Sequence, residues 1–124
     1  MSDYVYGLNK SGISVIKLLN KQKKIFACWD DNKKIRDLVY KNFPKLNFKK
    51  TNKKNLNNYN NIYLTPGISL QDNKFENISN SKIKRDLNLY YDNIKDEKIV
   101  AITGTNGKST TTKLIGDILK KKYK

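Results

Sequence analysis

Residues 104 to 110 read Gly-Thr-Asn-Gly-Lys-Ser-Thr, an order of residue types suited to holding phosphate. Glycine lets backbone amides close around an anion where a Cβ would intrude. Lys108 supplies a point charge able to reach β- and γ-phosphates, and the Ser109 hydroxyl is the kind of group that ligates Mg²⁺ in such loops. The chemistry expected of Gly104, Thr105, Asn106, Gly107, Lys108, Ser109 and Thr110 is therefore nucleoside triphosphate binding with Mg²⁺. One departure stands out: the general phosphate-loop pattern wants glycine at position 102, where this chain has Ile102. A simple turn leading into a capped helix is the alternative that uses the same Asn-Gly pair and Ser109.

A second cluster lies near the N-terminus, where "YGLNKSGIS" at 6–14 follows the dinucleotide fingerprint Gly-x-Gly-x-x-Gly at Gly7 and Gly12. Asn9 occupies the middle glycine's place, and Asn tolerates left-handed backbone angles better than most residues. Asp30 comes 18 residues after Gly12, at the end of the next apolar run, where a carboxylate can accept hydrogen bonds from a ribose or a base. Taken alone, this turn fits an NAD site or a helix start with no ligand.

Positioning these clusters requires strands that feed loops and helices that leave them, and the chain alternates short apolar runs with segments of helical period. That alternation predicts βαβ units and a parallel sheet. "DYVY" at 3–6, "KIFACW" at 24–29 and "NIYLT" at 61–65 read as strands. Ser11 to about Lys21, with Ile13, Val15, Ile16 and Leu19, reads as a helix, as does 33–42 with Ile35, Leu38 and Val39. The spacing also gives a short helix at 72–80, a short strand at "KIK", a helix in "RDLNLYYDNI" carrying Leu87, Leu89, Tyr90 and Ile94, and a charged linker at 93–97. "KLNF" within the Lys- and Asn-dominated stretch 43–61 is the one strand-like piece of that stretch. "KIVAIT" at 98–103, apolar without alternation, reads as a strand buried on both faces, and Leu114, Ile115, Ile118 and Leu119 mark a helix after the glycine loop.

Composition narrows the function classes. The net charge of +15 comes from 24 lysines and 2 arginines beside 17 asparagines, spread along the chain rather than gathered in an arm. A nucleic-acid reader concentrates Lys and Arg on one face, so a solvated basic surface and no nucleic-acid partner are expected, with a small basic nucleic-acid-binding protein as the alternative. "KKKYK" at the end reads as a fraying helix terminus. No run approaches the ~20 apolar residues of a membrane span, so no membrane partner is expected. A lone Cys28 and no histidine argue for a small apolar residue in a buried strand rather than a nucleophile, and for a reducing, cytoplasmic setting.

"VAITGTNGKSTTT" resembles the signature of the Mur ligase family, which includes the folate-polyglutamate ligases. With the first turn, "WDDN" after the second strand and "TPGI" after the third, the chain is similar in order and spacing to the D-glutamate-adding branch of that family. The resemblance implies a Rossmann-like domain at 1–92 that holds a uridine diphosphate rather than NAD, a linker at 93–97, and at 98–124 the first strand, phosphate loop and helix of a truncated ATPase domain. By the same resemblance Lys10, Ser11, Asp30, Asp31, Asn32 and Gly67 would contact the nucleotide. The implied reaction is ATP-dependent amide formation: the L-alanine carboxylate of UDP-N-acetylmuramoyl-L-alanine is phosphorylated, and the acyl phosphate is attacked by the amine of D-glutamate. Lys108 and Ser109 would be the catalytic residues within this chain. A monomeric N-terminal fragment without ligase activity is expected, another Mur-type or folylpolyglutamate-type ligase fragment being the variant reading.

Overall fold

The computed structural model describes residues 2–94 and 97–123. Four short strands form one all-parallel sheet: β1 Asp3–Tyr6, β2 Phe26–Trp29, β3 Ile62–Leu64 and β4 Ile83–Lys84, in the order β2-β1-β3-β4. Between them lie α1 Lys10–Lys21, α2 Lys33–Asn42 and a single turn α3 Lys53–Leu56; α4 Asp86–Tyr91 and α5 Lys108–Lys122 follow β4. The α/β class, the parallel sheet and the flanking helices are as the alternation of apolar runs predicts.

Central strand β1 is buried along its whole length, and its alternating side chains enter two different cores. Val5 packs with Cys28 and Tyr63 beneath the helices, which contribute Val15, Ile16 and Leu19 from α1, Val39 from α2 and Leu89 from α4. Burying each such aliphatic side chain is worth about 1.5–3 kcal/mol, so α1, whose apolar stripe meets the sheet, is anchored more firmly than α4 with its one buried residue. On the opposite face Tyr4, Tyr6, Ile62 and Leu64 are covered by Leu56, Tyr59, Phe75 and Ile78. Here α3 and a series of turns do the covering: 72–80 forms turns rather than the expected helix, its backbone closed by short-range bonds such as Phe75 N–H to Asp72 O at 2.9 Å.

Other expectations are also corrected. Leu38, Leu87 and Tyr90 lie on solvent-facing sides of their helices, because α2 and α4 each turn a narrower stripe to the sheet than their apolar count suggests. "KLNF" supplies only a bridge from Phe48 to Cys28, which shields the outer edge of β2. Residues 98–103 form no strand, and Val100 is 60% exposed. An apolar run becomes a strand only when a paired neighbour satisfies its amides and carbonyls, and no described strand pairs with 98–103. Helix α5 forms as expected but buries none of its residues. Of the linker expected at 93–97, residues 95 and 96 lie outside the described residues. No described helix is long and apolar enough to cross a membrane.

Candidate functional site

In this sheet the chain leaves β1 for β2 on one side and later returns to β3 on the other, so the loops after β1 and β3 part from each other. Ligands of open parallel sheets settle at such a switch point, outside the carboxyl ends of the strands. A cleft of about 640 Å³ opens there. The loop after β1 contributes Gly7, Asn9, Lys10 and Ser11; the β2 end contributes Asp30 and Asn32; the β3 end contributes Thr65, Pro66, Gly67 and Ile68; Ile35 of α2 completes the wall.

Two glycines make this arrangement sterically feasible. Gly7 sits at φ +92°, and a Cβ there would lie 2.2 Å from Thr65 Oγ1; a Cβ on Gly12 would lie 2.0 Å from the Gly7 carbonyl oxygen. Only bare backbone lets α1 start so close to β1 and β3. Asn9 is in the extended region at φ −69°, so its tolerance of left-handed angles is not called upon, and its side chain does not cap α1. The helix start therefore presents its positive dipole end at the cleft beside Lys10 and Ser11, an arrangement suited to an anion.

Asp30 braces two loops rather than standing free. Its carboxylate accepts from Leu8 N–H and from Asn32 N–H, both at 2.8 Å, and it is nearly buried. Asn32 in turn caps α2 by accepting from Lys34 N–H at 3.0 Å. Asp31, next in sequence, points elsewhere: it accepts from Tyr6 Oη–H at 2.6 Å and Trp29 Nε1–H at 3.1 Å and pairs with Lys74. The Lys74 ammonium and then the Tyr6 hydroxyl hold its carboxyl down to about 2. Thus Lys10, Ser11, Asp30, Asn32 and Gly67 converge on the cleft, whereas Asp31 is not part of its lining.

Both arginines of the chain support this site, a role their sequence positions do not reveal. Arg36 lies 4.2 Å over the Trp29 ring and donates to the carbonyls of Asp30 (2.6 Å) and Asp31 (3.0 Å). Arg85, just after β4, donates through Nη1 to Thr65 O at 2.7 Å and through both Nη1 and Nη2 to Ile68 O at 3.2 Å. Rarity is the one signal that could have found them: two planar forks among 24 lysines.

The second candidate, residues 104–110, lies on the exposed stretch leading into α5. Gly104 (φ +145°) and Gly107 (φ +76°) take angles that side chains avoid, and Gly107 is the N-cap of α5 without a side-chain cap bond. Lys108 folds its ammonium back onto the loop, donating to the carbonyls of Gly104 and, at 3.2 Å, Thr105. Thr105, Asn106, Ser109 and Thr110 are all exposed around the open helix start. Among the described residues no cluster of three or more His, Cys, Asp or Glu could hold a metal ion. Cys28 is buried in β2, and burial pushes its thiol up to about 12, as expected of a core residue rather than a nucleophile.

A parallel sheet with flanking helices and a switch-point cleft walled by a glycine turn and a helix start defines an α/β domain of the Rossmann-like class. The profile of the family described as Mur ligase MurD-like, N-terminal domain, matches residues 2–85, and the chain belongs to that family. It is 37% identical over 123 residues to the UDP-N-acetylmuramoylalanine--D-glutamate ligase of Wolbachia sp. subsp. Brugia malayi, a match covering 94% of this chain and 25% of that protein. Against the enzyme of the same name from Rickettsia conorii it is 39% identical over 118 residues, covering 93% of this chain and 23% of that protein. The chain thus spans about a quarter of the length of the curated relatives it matches.

Proposed function

We propose that this chain forms the uridine-nucleotide-binding part of an ATP-dependent ligase that adds D-glutamate to UDP-N-acetylmuramoyl-L-alanine in peptidoglycan synthesis. The observation that carries the reading is the switch-point cleft, where five of the six residues expected to contact the nucleotide come together. The α1 start with Lys10 and Ser11 would receive the diphosphate, Gly67 would form the opposite lip, and Asp30 and Asn32 would face the nucleoside. The cleft's volume lies within the range of small-molecule sites.

In this reading ATP is held by Gly104 to Thr110 in the complete enzyme. The glycine angles and open helix start fit a phosphate chain, and Lys108 would exchange its two loop carbonyls for phosphate oxygens. Mg²⁺, ligated by Ser109 together with phosphate oxygens, would offset charge on the transferring phosphoryl group. Because 98–103 joins no sheet and α5 buries nothing, the chain by itself would bind uridine nucleotides without turnover.

Calorimetric titration of the chain with UDP and, separately, with NAD tests the first site: UDP binding is expected, and binding of NAD alone would refute the assignment. The second is tested in a chimera in which this chain replaces the matching quarter of the Wolbachia ligase. There Lys108→Ala should cost roughly 1.5–3 kcal/mol in kcat/KM for ATP, the scale of a charged hydrogen bond. Unchanged kinetics would remove Lys108 from the mechanism.

A further inference from the structure

We infer that Arg85 is a positioning residue for nucleoside diphosphate binding, holding the Thr65 and Ile68 carbonyls of the lip to itself so that the Gly67 amide between them is left to face the anion. The inference rests on the nucleotide reading of the cleft given above. Arg85 does not line the cleft. Its guanidinium instead takes the carbonyls of Thr65 and Ile68, with a longer contact of 3.4 Å to that of Leu64, and so draws the negative ends of the lip's dipoles toward itself. Gly67, between the two held carbonyls, lines the cleft and has open space where a Cβ would be. The turn is also tied by Ile68 N–H to Thr65 O at 3.0 Å and by Thr65 N–H to Tyr6 O at 3.2 Å, neither of which holds the Ile68 carbonyl.

Two features separate this from an incidental contact. Arg85 occupies the N-cap of α4, where a cation opposes the helix dipole and Ser, Asp or Asn would serve the helix better. The position thus gives up local helix stability to place a guanidinium. Moreover, the chain draws on lysine nearly everywhere else, yet one carbonyl bonded by Nη1 alone and another shared by Nη1 and Nη2 is a task for a planar fork, which a single ammonium cannot match.

The test is calorimetric titration of the full chain with UDP, in native form and as Arg85→Met and Arg85→Lys, with thermal unfolding of each followed in parallel. Arg85→Met keeps the apolar stem and loses all donors, and should bind UDP roughly 5–30-fold more weakly, no more than about one lost charged hydrogen bond. Arg85→Lys should fall between it and the native chain, a graded rescue that a purely structural role in α4 would not give. A folded Arg85→Met with native affinity overturns the inference. Should Arg85→Met fail to fold, Arg85→Lys decides: weaker binding at native thermal stability supports the assignment, and native affinity overturns it. Absence of UDP binding by the native chain would overturn the nucleotide reading and this inference with it, whereas native binding alongside unaltered variants overturns the inference alone.

Discussion

Gly12→Ala is the perturbation that most directly probes how the cleft is built. The added Cβ would lie 2.0 Å from the Gly7 carbonyl oxygen and 2.9 Å from its carbon, whereas real Cβ contacts essentially never fall under 3.0 Å. The start of α1 and the Gly7 turn must therefore separate by at least 3.0 − 2.0 = 1.0 Å, and neither partner is a flexible side chain that could give way. Overpacking of this kind costs about 1–3 kcal/mol, and a backbone partner places this case at the upper end. Alanine's better helix propensity returns about 1 kcal/mol, leaving a net loss of about 2 kcal/mol. With a denaturant slope of about 2 kcal/mol/M, the urea midpoint should fall by about 1 M. Gly67→Ala is the matched control: nothing lies within 4 Å of its Cβ, so stability should stay within about 0.5 kcal/mol while the new methyl group, on the lip of the cleft, weakens UDP binding. A Gly12→Ala protein with the native midpoint and native UDP affinity would refute the close-approach argument.

Two further outcomes follow from the charges and burial around the sheet. The Asp31 carboxyl is held down to about 2 by Lys74 and Tyr6, so the stability it contributes is present above its ordinary range near 4 and is lost as pH falls from there through 2. The group is just over half exposed, which keeps its worth below about 1 kcal/mol; the urea-midpoint gap between native protein and Asp31→Asn should be small at pH 6 and vanish near pH 2, and a gap that widens on acidification would contradict the pairing. Cys28, buried with its thiol pushed up to about 12, should resist a thiol reagent at pH 8 in the folded protein and react promptly in urea; rapid labelling without denaturant would place it at the surface.

What could be read in the sequence follows from how local its cause was. Strands β1, β2 and β3 and helices α1 and α2 are each specified by their own apolar period, and each was placed to within a few residues. The covering of the Tyr4 and Tyr6 face was not legible, because Leu56, Tyr59, Phe75 and Ile78 come from separate turns with no shared period. At 98–103 an apolar run is not sufficient, because a strand also needs a paired neighbour and no described strand supplies one. Lys10, Ser11, Asp30, Asn32 and Gly67 are expected together only through the family resemblance; their convergence in the structure follows from parallel topology, which brings the loops after successive strands to one end. Asp30 and Asp31 could not be told apart by type; only the backbone at the end of β2 sends one toward the Leu8 amide and the other toward Lys74.

The supports of the cleft explain why its fingerprint can depart from the usual pattern. A middle glycine in such a turn serves close approach of a ligand to the backbone, and Asn9 keeps the turn open without one because it sits in an ordinary extended conformation. Shape is imposed instead by groups behind the surface: Gly7 and Gly12 by what they lack, Asp30 through two amides, Arg36 and Arg85 through carbonyls. A residue that merely faces the cleft, such as Lys10, should therefore accept substitution with graded losses in affinity, whereas exchange of a support alters every contact on its loop at once. On this argument the two arginines, absent from any loop motif, constrain the site more tightly than the lysines that surround it.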